Sequence, residues 1–107
     1  MTKNDTLRDA IAAIANHIGA LDQRYHEKEA IALIHILGKC GPILAAPVEA
    51  TEEQEDLRRE IHLKAFELEC AIRRAIGYPA VEQYGQDVVA RVDQLRVMVT
   101  WAHRKFV

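Results

Sequence analysis

Five histidines and two cysteines are the residues here whose side chains could hold a metal or act as a base or nucleophile. His17, His26 and His35 recur at a spacing of nine, which is two and a half turns of α-helix, so neighbours in the series point to opposite sides of any continuous helix. A shared site would need a turn to bring them together. There is no HExxH, no ExxH pair of the di-iron bundle type and no CxxC, the spacings that place ligands on one face. No metal site and no cofactor is expected. His35 lies inside the apolar run 30–37, where an imidazole can serve as a base or simply bond a carbonyl. No carboxylate or nucleophile is positioned against it, so the structural role is the expected one. His62, Cys40 and Cys70 likewise sit in no catalytic motif, and the reading is that the protein is not an enzyme.

Three basic clusters, Arg58-Arg59, Arg73-Arg74 and Arg104-Lys105, could hold a phosphate or an acidic partner. The last two fall at expected helix C-termini, where positive charge offsets the helix dipole, and no glycine-rich phosphate loop accompanies any of them. Arg73 and Arg74 carry the alternative reading of the chain, a binder of a small anionic ligand such as a nucleotide in an arginine-lined groove.

These residues have to be positioned by a chain of 107 residues, the size of one domain spanning 1–107. Half its residues are hydrophobic, 28% are charged, and only 3 prolines and 5 glycines interrupt it, a composition that favours an all-α fold. The 14 basic and 16 acidic residues are interspersed, so no broad positive field exists to attract nucleic acid, which makes nucleic acid an unexpected partner. The apolar run 30–37 is too short to span a bilayer, and the polar segment 1–6 is not a signal peptide. Two cysteines without paired spacing suit a reducing compartment, so a cytoplasmic location without a disulfide is expected.

Helical periodicity organises the rest. Thr6 with Asp9 reads as a capping box, predicting a first helix from Leu7 whose buried stripe is Leu7, Ile11, Ile14, Ile18 and Leu21. The pattern turns polar over 22–28, predicting a turn there, with one kinked helix over 7–39 as the alternative. Residues 29–37 are apolar on every side, predicting a short second helix enclosed by others and stopped at Gly38, Gly41 and Pro42. The connection 41–50, with Ile43, Leu44 and Val48, should lie against the core. Thr51 with Gln54 is a second capping box, so a third helix should start at Glu52 and bury Leu57, Ile61, Ala65, Leu68, Ile72 and Ile76. Its outer face offers Glu55/Arg59, Glu60/Lys64 and Glu69/Arg73 as pairs one turn apart.

Gly77-Tyr78-Pro79 is a tight link, which predicts an antiparallel hairpin with a fourth helix striped by Val81, Val88, Val92, Leu95, Val99, Ala102 and Phe106. A turn centred on Tyr78 would set Ile61 against Leu95 or Val92 and Leu68 against Val88. The fold class is thus a four-helix bundle-like domain with a long C-terminal hairpin, or three long helices if 22–28 does not turn. The short first pair cannot cover the long second pair completely, so the far end of the long pair is covered either by the first two helices reaching that far or by a second copy of the chain. Leu57, Val97, Met98 and Trp101, at the far end of the hairpin, are therefore the expected interface, and Val97, Met98 and Trp101 in particular need a surface beyond the internal stripe. The resulting expectation is a small protein-interaction module of the adaptor, chaperone or inhibitor type, homodimeric and binding another protein.

Overall fold

A computed structural model describes residues 3–21, 24–47 and 51–105. It contains four helices: α1 (Lys3–Ile18), α2 (Glu27–Ala45), α3 (Glu52–Gly77) and α4 (Glu82–Lys105). A single 3₁₀ turn, Gly19–Leu21, extends α1. The helix break before Glu27 makes α1 and α2 separate, so the fold is the four-helix arrangement and not the three-helix one. Among the described residues each helix packs on two neighbours, closing a ring α1–α2–α3–α4 with the diagonals apart. Short links make neighbours antiparallel, and the longest dimension, 44 Å, is set by α3, whose 26 residues run about 39 Å at 1.5 Å each.

α3 begins where its capping box places it. The Thr51 hydroxyl accepts from the Gln54 N–H at 3.2 Å, and Gln54 Oε1 accepts from the Thr51 N–H at 3.1 Å. Gln54 also donates through Nε2 to the Lys105 carbonyl at 2.7 Å, tying the start of α3 to the end of α4. The first helix behaves differently. It already contains Thr6, with Asp5 in its first turn and paired to Arg8 at 2.8 Å, so Thr6 is not its cap. Asp5, one place before Thr6, puts negative charge in the first turn and suits the dipole of a helix that starts before the Thr6–Asp9 box.

α2 overruns its expected stop and continues through Gly38, Gly41 and Pro42 to Ala45. Proline clashes with the Cβ of the residue before it, and here that residue is Gly41, which has none. None of the described glycines takes a positive φ, so Gly38 and Gly41 do not act as caps. Tertiary contacts reward the extra turns: Cys40 donates from Sγ to the Ala10 carbonyl at 3.6 Å, and Leu44 is fully buried. The first part of the expected connection, residues 41–45, is therefore helix, and Val48 lies outside the described residues.

Nor is α2 enclosed. Only Ala30, Leu33, Leu37, Cys40 and Leu44 are buried, in alternating steps of three and four, while Ile31 and His35 are exposed. A ring of four gives each helix two neighbours and a free outer side, so an all-round apolar segment must leave part of itself uncovered. The other stripes follow the sequence: Leu7, Ile11, Ile14, Ile18 and Leu21 from the first segment, Leu57, Ile61, Ala65, Leu68 and Ile72 from α3, and Val88, Val92, Leu95, Val99 and Ala102 from α4. Ile76 is partly buried and Val81, in the turn, is exposed; Phe106 lies outside the described residues.

Arg58 is the buried charge of the core, 4% exposed. Nη1 donates to the Leu44 carbonyl in the last turn of α2, while Nε and Nη2 grip both Glu55 oxygens at 3.0 and 2.8 Å. It thus closes the C-terminus of α2 and is not part of a surface basic cluster. Arg58→Ala removes a charged hydrogen bond to a buried carbonyl, so it should cost about 2 kcal/mol and speed amide exchange in the last turn of α2. Urea melts and exchange read both effects, and an unchanged midpoint would contradict this role.

Candidate functional site

The hairpin brings α3 and α4 together along most of their length, and three polar links across it set the register. Arg91 Nη1 meets Glu67 Oε2 at 3.1 Å, Lys105 Nζ meets Glu53 Oε1 at 3.2 Å, and Gln54 reaches the Lys105 carbonyl. A turn centred on Tyr78 would have put Val88 opposite Glu67. The link instead runs from Tyr78 to Val81, which moves its centre to Pro79-Ala80 and shifts the facing residues along α4. Arg91 also holds Asp87 at 3.1 Å.

Several of the large apolar side chains exposed in the described chain belong to the two helices of this hairpin. Val97 is 61% exposed and Trp101, one turn further along α4, is 49% exposed, with the Lys105 ammonium 4.9 Å from the indole centroid. On α3, Phe66 is 57% and Leu63 47% exposed. Phe66 and Cys70 of α3 line one small groove with Asp87 and Arg91 of α4, which places them on the hairpin's outer side. Met98 is half-buried against the core. Leu57, expected here, is only 8% exposed and is already covered within the chain; the longer α2, with Leu44 and its Arg58 cap, reaches that end. Leu63 and Phe66 fall outside the interface that the sequence predicts, because that expectation rests on the internal stripes of the helices. Their signal was present, since large apolar residues among charges on a solvated face have no internal partner.

The arginine pair is already engaged. Arg73 Nη2 meets Glu69 Oε1 at 3.1 Å, and the Arg74 guanidinium lies 5.5 Å from the Tyr84 ring centroid, with Tyr78 edge-on to that ring at 6.0 Å. The groove beside Arg74 holds Glu67 and Asp87 as well as Arg91, so its charges balance and it offers an anion no net field. Of the α3 surface pairs expected, Glu69/Arg73 forms, while Arg59 turns to Asp56 at 2.7 Å and Lys64 to Glu67 at 3.6 Å. His17, His26 and His35 are all exposed, and among the described residues no three His, Cys, Asp or Glu side chains gather where they could hold a metal. Cys40 is buried and Cys70 exposed, both as free thiols.

At the turn end, the Tyr25 ring lies against Gly85, where an added Cβ would stand 3.2 Å from ring carbons. This close approach explains why glycine interrupts the α4 stripe. The Tyr25 hydroxyl is buried without a hydrogen-bond partner. Burial, and after it the Glu27 carboxylate, raise the Tyr25 pKa above the ordinary tyrosine value, and burial likewise raises that of Cys40. Groups whose folded pKa is raised stabilise fully below their unfolded pKa, and that contribution is lost as pH rises through the folded one. Stability should therefore decline above about pH 9–10. Tyr25→Phe should remove the phenol's share of that decline and, by deleting an unsatisfied hydroxyl, raise stability near neutrality by about 1 kcal/mol. Urea melts against pH test this, and a destabilised Tyr25→Phe would show that the hydroxyl has a partner.

Among the described residues no helix is long and apolar enough to cross a membrane. Compared with known proteins, the chain matches no family model, no curated protein and no solved structure.

Proposed function

We propose that this protein is a small helical interaction module which self-associates through the outer side of the α3–α4 hairpin and acts by binding another protein instead of by catalysis. The observation that carries the reading is the pair Val97 and Trp101, 61% and 49% exposed one helical turn apart, with Leu63 and Phe66 on the neighbouring helix. Large aromatic and aliphatic side chains grouped on a surface mark interface centres. A second copy is the occupant favoured by the charges: Arg74 and Arg91 balance Glu67 and Asp87 within the chain, so the surface selects neither an acidic nor a basic partner. An isologous pairing lays the same apolar patch on itself and leaves no charge of one sign facing itself unpaired.

Binding of a further protein is a class argument, since small helical domains without a catalytic constellation mostly work by presenting surfaces. Two free thiols suit a reducing compartment such as the cytoplasm. The reading is tested by following methyl signals of Leu63 and Val97 and the indole N–H of Trp101 on dilution. These should shift together while Ile31, exposed on α2, stays in place. Shifts at Ile31 alone, or none at any position over a thousandfold dilution, would overturn it.

A further inference from the structure

The turn end of the hairpin holds a feature separate from the association surface. A cavity of ≈ 470 Å³ opens between the segment leading into α2 and the start of α4, lined among others by Arg24, Tyr25, Val81, Glu82, Gly85 and Val89. That volume falls within the range of small-molecule sites. One wall is fixed by close packing, because the Tyr25 ring rests on the bare backbone of Gly85. Val81 is 36% exposed although it is large and apolar, and Val89, one of the lining residues, is only partly covered.

The charges on this cavity differ from those of the groove beside Arg74. There, Arg91 is held by Asp87 and Glu67. Here, Arg24 and Glu82 both line the same cavity, both are exposed, and neither is bonded to the other: every salt bridge within 4.0 Å among the described residues lies elsewhere. A simple anion attracted by Arg24 would be opposed by Glu82, and a simple cation by Arg24. A ligand bearing both charges on one end and an apolar body on the other satisfies all three parts of the lining.

We propose that this cavity binds a free apolar α-amino acid, its carboxylate on Arg24, its ammonium on Glu82 and its side chain against Val81 and Val89. The site lies at the end of the hairpin opposite Val97 and Trp101, so it stands or falls independently of self-association.

Amide spectra of the full chain titrated with L-leucine and with L-phenylalanine test the proposal. Saturable shifts confined to Val81, Gly85 and Val89 are expected, with a Kd of about 1 mM or below, while Val97 and Trp101 do not move. N-acetyl-leucine, which lacks the ammonium, and leucine amide, which lacks the carboxylate, should each bind at least about tenfold more weakly, the loss of one charged contact of about 1.4 kcal/mol. Arg24→Gln and Glu82→Gln, both surface changes, should weaken leucine to a similar degree with an unchanged circular dichroism spectrum. Absence of saturable shifts with either amino acid would overturn the proposal. So would equal binding of the acetylated or amidated form, which would reduce the cavity to a non-selective apolar hollow.

Discussion

If two copies pair through the hairpin as proposed, Trp101→Glu should convert that dimer into a folded monomer. The indole is half-exposed on the single chain, so a carboxylate there remains hydrated when the protein is alone and loses its water only in the assembly, where burying an unpaired charge costs several kcal/mol. The neighbouring Val97 loses its apolar counterpart at the same time. Hot-spot aromatics of this kind are worth about 2 kcal/mol or more, and the added charge brings the expected weakening of association to at least about a hundredfold. Circular dichroism should stay that of the wild type, because Val99, Ala102 and Leu95, not Trp101, face the core. Sedimentation velocity reads the dissociation. A variant that unfolds would instead make Trp101 part of the fold.

Leu68→Ala should be the most damaging single change to the fold itself. Leu68 is fully buried in the middle of α3, as Val88, Val92 and Leu95 are in α4, and the truncation leaves a cavity that two packed long helices cannot easily collapse into. A cost of about 2–5 kcal/mol follows, a large share of the roughly 5–15 kcal/mol that holds a domain together. Phe66→Ala, on the outer side of the same helix, should change monomer stability by less than about 0.5 kcal/mol. Urea melts of the two variants at a concentration below association compare them directly. Equal losses would mean that the buried and outer faces of α3 are wrongly assigned.

The contrast between those two residues shows what the sequence makes legible. Most local signals carry through: the Thr51–Gln54 box, the glycine-tyrosine-proline link and the three-four stripes of α3 and α4 all depend on neighbours within a turn or two, although the equally local Thr6–Asp9 box does not, since α1 already contains Thr6. Where a long-range contact decides, the reading does not carry through. Gly38 and Gly41-Pro42 read as a stop, yet α2 continues because Cys40 finds the Ala10 carbonyl and Arg58 closes the helix from fourteen residues away. Gly85 reads as a flaw in a stripe until Tyr25 is seen to lie on it. His35 looked enclosed because its neighbours are apolar, but a ring of four helices leaves an outer side on each.

The candidate surface was half legible for the same reason. Val97 and Trp101 stand out because the α4 stripe is complete without them, whereas Leu63 and Phe66 hide among the charges of α3 and become visible only when that face is seen to have no cover. Leu57 belongs to the opposite error: its coverage depends on α2 extending further than its glycines and proline suggested.

The most direct measurement is the molar mass of the wild-type chain by light scattering across a concentration series. Self-association through the hairpin predicts twice the chain mass at high micromolar concentration, falling toward one chain on dilution. A mass of one chain held throughout would contradict it and leave Val97, Trp101, Leu63 and Phe66 as a surface without a second copy.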